Sequence, residues 1–176
     1  MSRIDDVMSR FSAIPGSSVG RGPRHPTNPD PDVGLRIARF LEAYPLLRRD
    51  AGYVEFLEKY AGASIENDDF SQIVDILGFT DASTDIEEMD GPVVDSDGFL
   101  MVAEAVYHLR EGGRNTGTLQ HAFAYDVTGD RAEGLYHSLV STERLEPAFV
   151  YALDSFEALL DDVVVREGWM DPPGRR

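Results

Sequence analysis

The sequence contains no cysteine, and this absence removes several classes of function at once. Disulfide bonds, cysteine-ligated zinc or iron–sulfur clusters and thiol catalysis are all excluded, and a thiol-free chain suits a reducing cytoplasm. The first residues form no apolar run of signal-peptide length. No stretch approaches the roughly 20 apolar residues that a membrane-spanning helix needs. The sequence therefore predicts a cytoplasmic protein that does not enter a membrane.

Basic residues are missing from the middle of the chain. Between Tyr60 and Leu109 there is no lysine or arginine, yet this segment carries twelve of the 32 acidic side chains and so −12 of the formal net charge of −16. A local acidic surface attracts basic partners and repels nucleic acid and anionic membranes. We therefore expect a basic protein partner and no bound nucleic acid. The alternative is a solvated acidic loop that has no partner.

The acidic residues expected to form the partner surface lie mostly in predicted loops, where binding residues gather. They are Asp68, Asp69, Asp81, Asp85, Glu87, Glu88, Asp90, Asp95 and Asp97.

The chain divides by composition into a leader and one domain. Five prolines lie between Pro15 and Asp32, and such a segment buries too little apolar area to offset its ordering entropy. Residues 2–12 are compatible with a short amphipathic helix or with an unstructured segment. We predict a flexible leader over residues 1–32 and a single domain over residues 33–176.

The periodicity after the leader predicts an α+β fold. Apolar residues recur at helical spacing from Val33 to Tyr44 and from Tyr53 to Tyr60, and again in a closing helix over 154–166. Between them, alternating segments predict a mainly antiparallel sheet of about four to six strands. Residues 99–109 fit either a strand or a helix. The residues expected in the core are Phe56, Leu57, Ile76, Phe123, Tyr125, Tyr136, Phe156 and Leu160.

One segment resembles a calcium-binding loop. In residues 93–104, Asp95, Asp97 and Glu104 fall at ligand positions, but the first position, normally aspartate, is Val93. The missing carboxylate favours an Asx turn that leads into a strand. We therefore expect no metal site and no cofactor here.

Two histidines offer the best alternative for acid–base or metal chemistry. A hairpin about residues 128–133 would bring His121 and His137 together, where Asp126 or Glu104 could join them. The simpler interpretation is that both imidazoles pack against their neighbours in the sheet. The sequence contains no nucleophile elbow and no phosphate-binding loop, so no catalytic residue is predicted.

Four segments together resemble the SUKH superfamily of α+β domains. A helix ending in Tyr53–Gly62 is similar to that family's "Y..FL...NG" motif, and the apolar segment Ile76–Phe79 follows. Phe123–Asp130 resembles its "FA.D..G" strand and turn, and Phe149–Val164 resembles its terminal "S.FEEFL" helix. The resemblance spans residues 33–166.

This resemblance implies a binding module without catalytic activity. Many bacterial members resemble immunity proteins that neutralise secreted toxins, often nucleases or nucleic-acid deaminases. Such toxins are basic because they hold phosphate, and an acidic inhibitor can mimic that phosphate. Two other hypotheses remain: a regulatory scaffold that binds a cellular partner through residues 1–32, and a small histidine- or metal-dependent enzyme.

Overall fold

The computed structural model describes residues 3–67, 71–86, 94–111, 113–141 and 149–168. Within these ranges the chain forms four α-helices, one 3-10 helix and seven strands. In chain order they are α1 (Arg3–Phe11), β1 (Ser17–Val19), α2 (Val33–Ala43), the 3-10 helix (Pro45–Arg49), α3 (Ala51–Lys59), β2 (Ala63–Glu66), β3 (Gln72–Ile76), β4 (Phe99–Glu111), β5 (Arg114–Asp126), β6 (Leu135–Ser141), β7 (Val150–Leu153) and α4 (Phe156–Val165). The predicted α+β class is confirmed, with one strand more than the predicted range.

The seven strands form one antiparallel sheet in which every strand pairs with its neighbour in sequence, in the order β1 to β7. Residues 99–109, which the sequence left open, lie in β4, because this segment pairs with β3 on one side and β5 on the other. Strands β4 and β5 have 13 residues each. The turn between them contains Gly113, whose φ of +79° suits a residue without a Cβ atom.

All eight predicted core residues are buried. Most of them lie where the helices pack on one face of the sheet, in a cluster that contains residues from α1 to α4. Aromatic rings join the layers, since the ring of Phe156 in α4 lies 4.9 Å from that of Tyr53 and 5.0 Å from that of Phe56. The helices and this inner face of the sheet therefore enclose the main core.

The prediction of a flexible leader is wrong for residues 3–32, which belong to the domain. Helix α1 buries its apolar stripe, including Ile4 and Phe11, completely in the main core. Its polar side is held by ion pairs, because Arg10 binds Asp161 of α4 and Lys59 binds Asp5 at 2.9 Å. Of the two alternatives for residues 2–12, the amphipathic helix is the one that forms, over Arg3–Phe11.

The proline-rich segment is held mainly through its backbone. The amide N–H of Gly20 donates to the carbonyl oxygen of Gly62, and that of Gly22 donates to Lys59, both at 2.9 Å. A Cβ atom at Gly22 would lie 2.6 Å from the carbonyl oxygen of Glu58, so this close approach needs glycine. Glycine here permits contact and order, whereas the prediction treated it as a source of disorder.

Two helix ends follow from their local sequence. Pro45 opens the 3-10 helix instead of simply ending α2, and Ser155 caps α4 through the amide of Ala158. Leu35, placed by periodicity on the buried stripe of α2, is 51% exposed.

Among the described residues, no helix is both long and apolar enough to cross a bilayer.

Candidate functional site

The face of the sheet opposite the helices, called here the outer face, carries polar side chains across several strands. Side chains alternate between the two faces along each strand. Val74 and Ile76 of β3 point into the main core, so Asp75 between them lies on the outer face. The strand register places a row of five residues across this face: Ser64, Asp75, Glu104, Ala122 and Ser138.

Two carboxyl groups oppose each other in the middle of this row. Asp75 of β3 is the direct antiparallel partner of Glu104 of β4. Side chains at such positions have Cβ atoms about 4.5–5.5 Å apart, and like charges there destabilise the sheet. Glu66 of β2 lies diagonally beside Asp75. We call these three residues, Glu66, Asp75 and Glu104, the outer-face cluster.

The cluster perturbs the ionisation of its central member. Partial burial, followed by the charges of Glu104 and Glu66, raises the pKa of Asp75 to about 6. The raised pKa means that ionising Asp75 costs free energy, because its carboxyl group is partly buried and lies beside two other carboxylates. Such perturbed groups gather at functional sites.

Only neutral donors reach the two central carboxylates in the part of the chain that the structure describes. The amide of Gln120 donates to Oε2 of Glu104 at 3.2 Å, and the hydroxyl of Thr84 lies 3.5 Å from Oδ2 of Asp75. Neither carboxylate forms a salt bridge among these residues, and the surrounding segment 60–109 has no lysine or arginine. The described part of the chain therefore supplies no cation to these two carboxylates.

The partner residues predicted from sequence fall into three groups. Asp81 and Asp97 are exposed on the surface. Asp85 and Asp95 are engaged in contacts within the protein. The remaining five lie outside the described residues: Asp68, Asp69, Glu87, Glu88 and Asp90.

Asp85 is neutralised from another part of the chain. The guanidinium of Arg36 in α2 binds the Asp85 carboxylate, and it also binds Asp30 at 2.6 Å and the carbonyl oxygen of Phe79 at 3.0 Å. The same guanidinium lies over the ring of Phe79. This network joins α2 to the loop after β3 and lines a cleft of about 530 Å³ beside exposed Asp81.

Asp95 shapes a turn. Its Oδ1 accepts the backbone N–H groups of Asp97 and Phe99 at 2.9 Å and 2.8 Å, as the Asx-turn interpretation predicted. Arg131 fixes the same turn, because its Nη1 donates to the carbonyl oxygen of Asp97 and to Asp126. Burial alone would raise the pKa of Asp126, but hydrogen bonds from Thr128 and Arg131 hold it below the ordinary value.

The two histidines meet, but the carboxylates proposed to join them lie elsewhere. Nδ1 of His121 is 2.9 Å from Nε2 of His137, and both side chains are buried on the inner face. Glu104 lies on the outer face, and Asp126 is bound to Arg131. No group of three or more potential metal ligands occurs within the described ranges.

A second cleft, of about 320 Å³, is lined in part by Asp50, whose carboxylate has a structural role. The Asp50 carboxylate accepts three hydrogen bonds: from the backbone N–H of Tyr53 at 3.1 Å, from the hydroxyl of Tyr125 at 2.8 Å and from the backbone N–H of Phe156 at 2.7 Å. With these partners the carboxylate joins α3, β5 and α4.

Asp75 and Glu104 were counted in the acidic segment but not predicted as binding residues, because the prediction favoured loops. The sequence nevertheless contains a pattern that could have identified both residues. Asp75 separates Val74 from Ile76, and Glu104 separates Ala103 from Ala105, so each carboxylate interrupts an apolar strand. That pattern predicts a charged residue on the uncovered face of a sheet. Their direct opposition depends on register, which the sequence did not reveal.

Comparison with known proteins adds no assignment: no family model matches this chain, and searches of curated proteins and of solved structures found no significant match.

Proposed function

We propose that this chain is a cytoplasmic, non-catalytic immunity-type protein that neutralises a basic toxin through its acidic outer face. The toxin would be of a nuclease or deaminase class. The outer-face cluster forms the centre of the binding surface, and exposed Asp81 and Asp97 extend it. The acidic residues outside the described ranges that the sequence singled out belong to the same proposed surface.

The opposition of Asp75 and Glu104 carries this proposal. An acidic surface that served only solubility would spread its charges, whereas here two carboxyl groups face each other at an electrostatic cost. A lysine or arginine from a partner would relieve that repulsion and favour ionisation of Asp75. The repulsion that destabilises the free protein would therefore strengthen the binding of a cationic partner.

The chemistry of the expected partner agrees with this geometry. A nuclease or a nucleic-acid deaminase binds phosphate with lysine and arginine side chains. Closely spaced carboxylates on a sheet present negative charge to those side chains, and charge complementarity raises the association rate. The SUKH resemblance supports the same class of function.

The two alternative functions have less support. The scaffold hypothesis needs residues 1–32 as a free tail, but residues 3–32 pack on the domain. The enzyme hypothesis depended on His121 and His137, which are buried on the inner face, apart from the two carboxylates proposed to join them.

Co-expression with a basic nuclease or deaminase toxin domain, sought among the neighbouring genes, tests the proposal. The toxin domain is expressed in a bacterial host with the wild-type chain or with the double variant Asp75→Asn/Glu104→Gln. We expect the wild-type chain to restore growth and the double variant to restore it poorly, because the central charges of the surface are gone.

A matched control separates the position of the charge from its amount. The double variant Glu42→Gln/Asp130→Asn removes the same number of charges at exposed sites outside residues 60–109. It should protect as well as the wild-type chain. Equal protection by both double variants would refute the outer face as the binding surface, and a failure of the wild-type chain to protect would refute the immunity function.

A further inference from the structure

The His121–His137 pair lies on the inner face, away from the proposed binding surface. The two side chains are 1% and 4% exposed. Their rings stack with centroids 5.1 Å apart and an angle of 30° between planes. His121 belongs to β5 and His137 to β6, so the pair joins two neighbouring strands within the core.

The short contact fixes how many protons the pair can hold between its rings. At 2.9 Å, one of the two facing nitrogens donates a hydrogen and the other accepts it through its lone pair. With a hydrogen on both facing nitrogens, the contact becomes a repulsion between two donors. The observed geometry therefore accommodates one bridging proton only.

Among the described residues, the side chains packed against His137 carry no compensating charge. On β4 the facing group is Tyr107, whose ring meets His121 edge-on and whose hydroxyl donates to the carbonyl oxygen of Gly168 at 3.0 Å. The ring of Phe123 packs on His137 at 4.9 Å, and Val150 of β7 lies opposite His137. Among the described residues, His121 is the one titratable group that acts on His137 electrostatically.

We propose that His121 and His137 form an acid-sensitive latch between β5 and β6, closed by one shared proton and opened when the second facing nitrogen is protonated. Opening separates the two rings and disrupts their packing on Tyr107 and Phe123. Backbone hydrogen bonds are lost first where β5 pairs with β6, and the β2–β3 end of the sheet retains its hydrogen bonds to lower pH.

The direction of the pH dependence follows from the protonation of His137. Burial, and then the neighbouring His121, lower the pKa of His137 to about 4. An unfolded histidine has a pKa of about 6.5. The stability that depends on neutral His137 is therefore fully present above about pH 6.5 and is lost as the pH falls towards 4.

NMR of the wild-type protein tests the latch without any substitution. The ring signals of His121 and His137 are followed from pH 8 to pH 3, together with amide exchange at Ala122 in β5 and Ser138 in β6. We expect one imidazole to titrate near pH 4 and protection of these amides to fall over the same range, before protection in β3. Independent titration of both rings near pH 6.5, or simultaneous loss of protection in all strands, would overturn the proposal.

A variant identifies His137 as the acid-sensitive group. His137→Gln keeps an acceptor for His121 but cannot take up a proton, so the acid midpoint for opening β5–β6 should fall by about 0.5–1 pH unit. The control His25→Gln removes an exposed histidine and should leave that midpoint unchanged. An unchanged midpoint in His137→Gln, or an equal shift in the control, would contradict the latch. If His137→Gln does not fold, the wild-type titration decides the question alone.

Discussion

The carboxyl group of Asp75 connects the strand pattern of this protein to its proposed function. Its neighbours Val74 and Ile76 are fully buried, so the alternation of β3 turns the carboxyl group to the outer face. There it meets Glu104 across the strands. One side chain thus weakens the free fold and, in the proposed function, contributes to the site that binds a cation.

Replacing Asp75 by asparagine should stabilise the protein at neutral pH. Because the pKa of Asp75 is raised to about 6 in the fold, its contribution to stability is complete below about pH 4 and is lost as the pH rises through 6. Asp75→Asn should therefore raise the free energy of unfolding by about 1 kcal/mol at pH 7.5, after allowance for solvent screening, and by much less at pH 4. Urea unfolding at both pH values measures this difference.

The exposed residue Asp81 provides the comparison for that experiment. Asp81→Asn should change the urea midpoint little at either pH, because surface substitutions away from special contacts are nearly neutral. A stabilisation by Asp75→Asn that is equal at pH 4 and pH 7.5 would show that repulsion in the outer-face cluster is not its cause.

At the scale of elements, Asp50 holds the helical layer to the sheet. The residue caps α3, and its carboxylate also accepts hydrogen bonds from β5 and from the first turn of α4. Three elements distant in sequence therefore depend on one side chain.

Truncation of Asp50 should strongly destabilise the protein. Asp50→Ala removes a helix cap and leaves the donors of Tyr125 and Phe156 without their acceptor, so we expect a loss of about 2–4 kcal/mol in unfolding free energy. The control Asp154→Ala removes an exposed acceptor of Tyr151 and should cost less than about 0.5 kcal/mol. Similar urea midpoints for the two variants would show that the Asp50 contacts do not join the layers.

Helix α1 should behave as part of the core. Phe11→Ala removes a side chain with no exposed surface and should cost about 3–5 kcal/mol, the range also expected for Phe156→Ala. Leu35→Ala in α2 truncates a side chain that is 51% exposed and should cost little by comparison. Chemical denaturation compares them. A wild-type urea midpoint for Phe11→Ala would mean that α1 contributes nothing to the domain.

The sequence predicted the elements whose pattern is local and missed those that depend on distant partners. The alternation over residues 119–127 and the stripe of α4 are visible in the chain itself, and both elements form. Strands β1 and β2 have only three and four residues, and they are ordered by pairing with each other and, for β2, with β3. Distant partners also explain the order of the leader. Helix α1 packs on α4, and residues 22–24 donate hydrogen bonds to backbone carbonyl groups of α3.

At the scale of the whole molecule, charge is sorted between parts of the chain. The arginines near the N-terminus bind carboxylates of other elements, as Arg3 and Arg10 bind Asp161 of α4. The acidic segment receives few of these cations, Arg36 at Asp85 being one described case. Among the described residues, the outer-face cluster therefore keeps its negative charge, as the proposed binding surface requires.

Binding of a basic partner should depend on pH through Asp75. A cation beside this carboxyl group lowers its pKa, so the complex binds fewer protons than the free protein. The dissociation constant should therefore fall by up to about tenfold as the pH rises from 5 to 7, and this dependence should weaken in Asp75→Asn. Calorimetry in buffers of different ionisation enthalpy measures the released proton. Equal proton release by the wild-type chain and Asp75→Asn would assign the linkage to another group.

The association rate of the purified toxin domain, followed over a salt series, tests the central claim most directly. For Asp75→Asn/Glu104→Gln we predict a rate about five- to tenfold below wild type at low salt and a flatter decline with salt, because steering by the outer face is lost. The charge-matched control Glu42→Gln/Asp130→Asn should remain within about twofold of wild type. Equal rates and equal salt dependence in the two double variants would contradict the account.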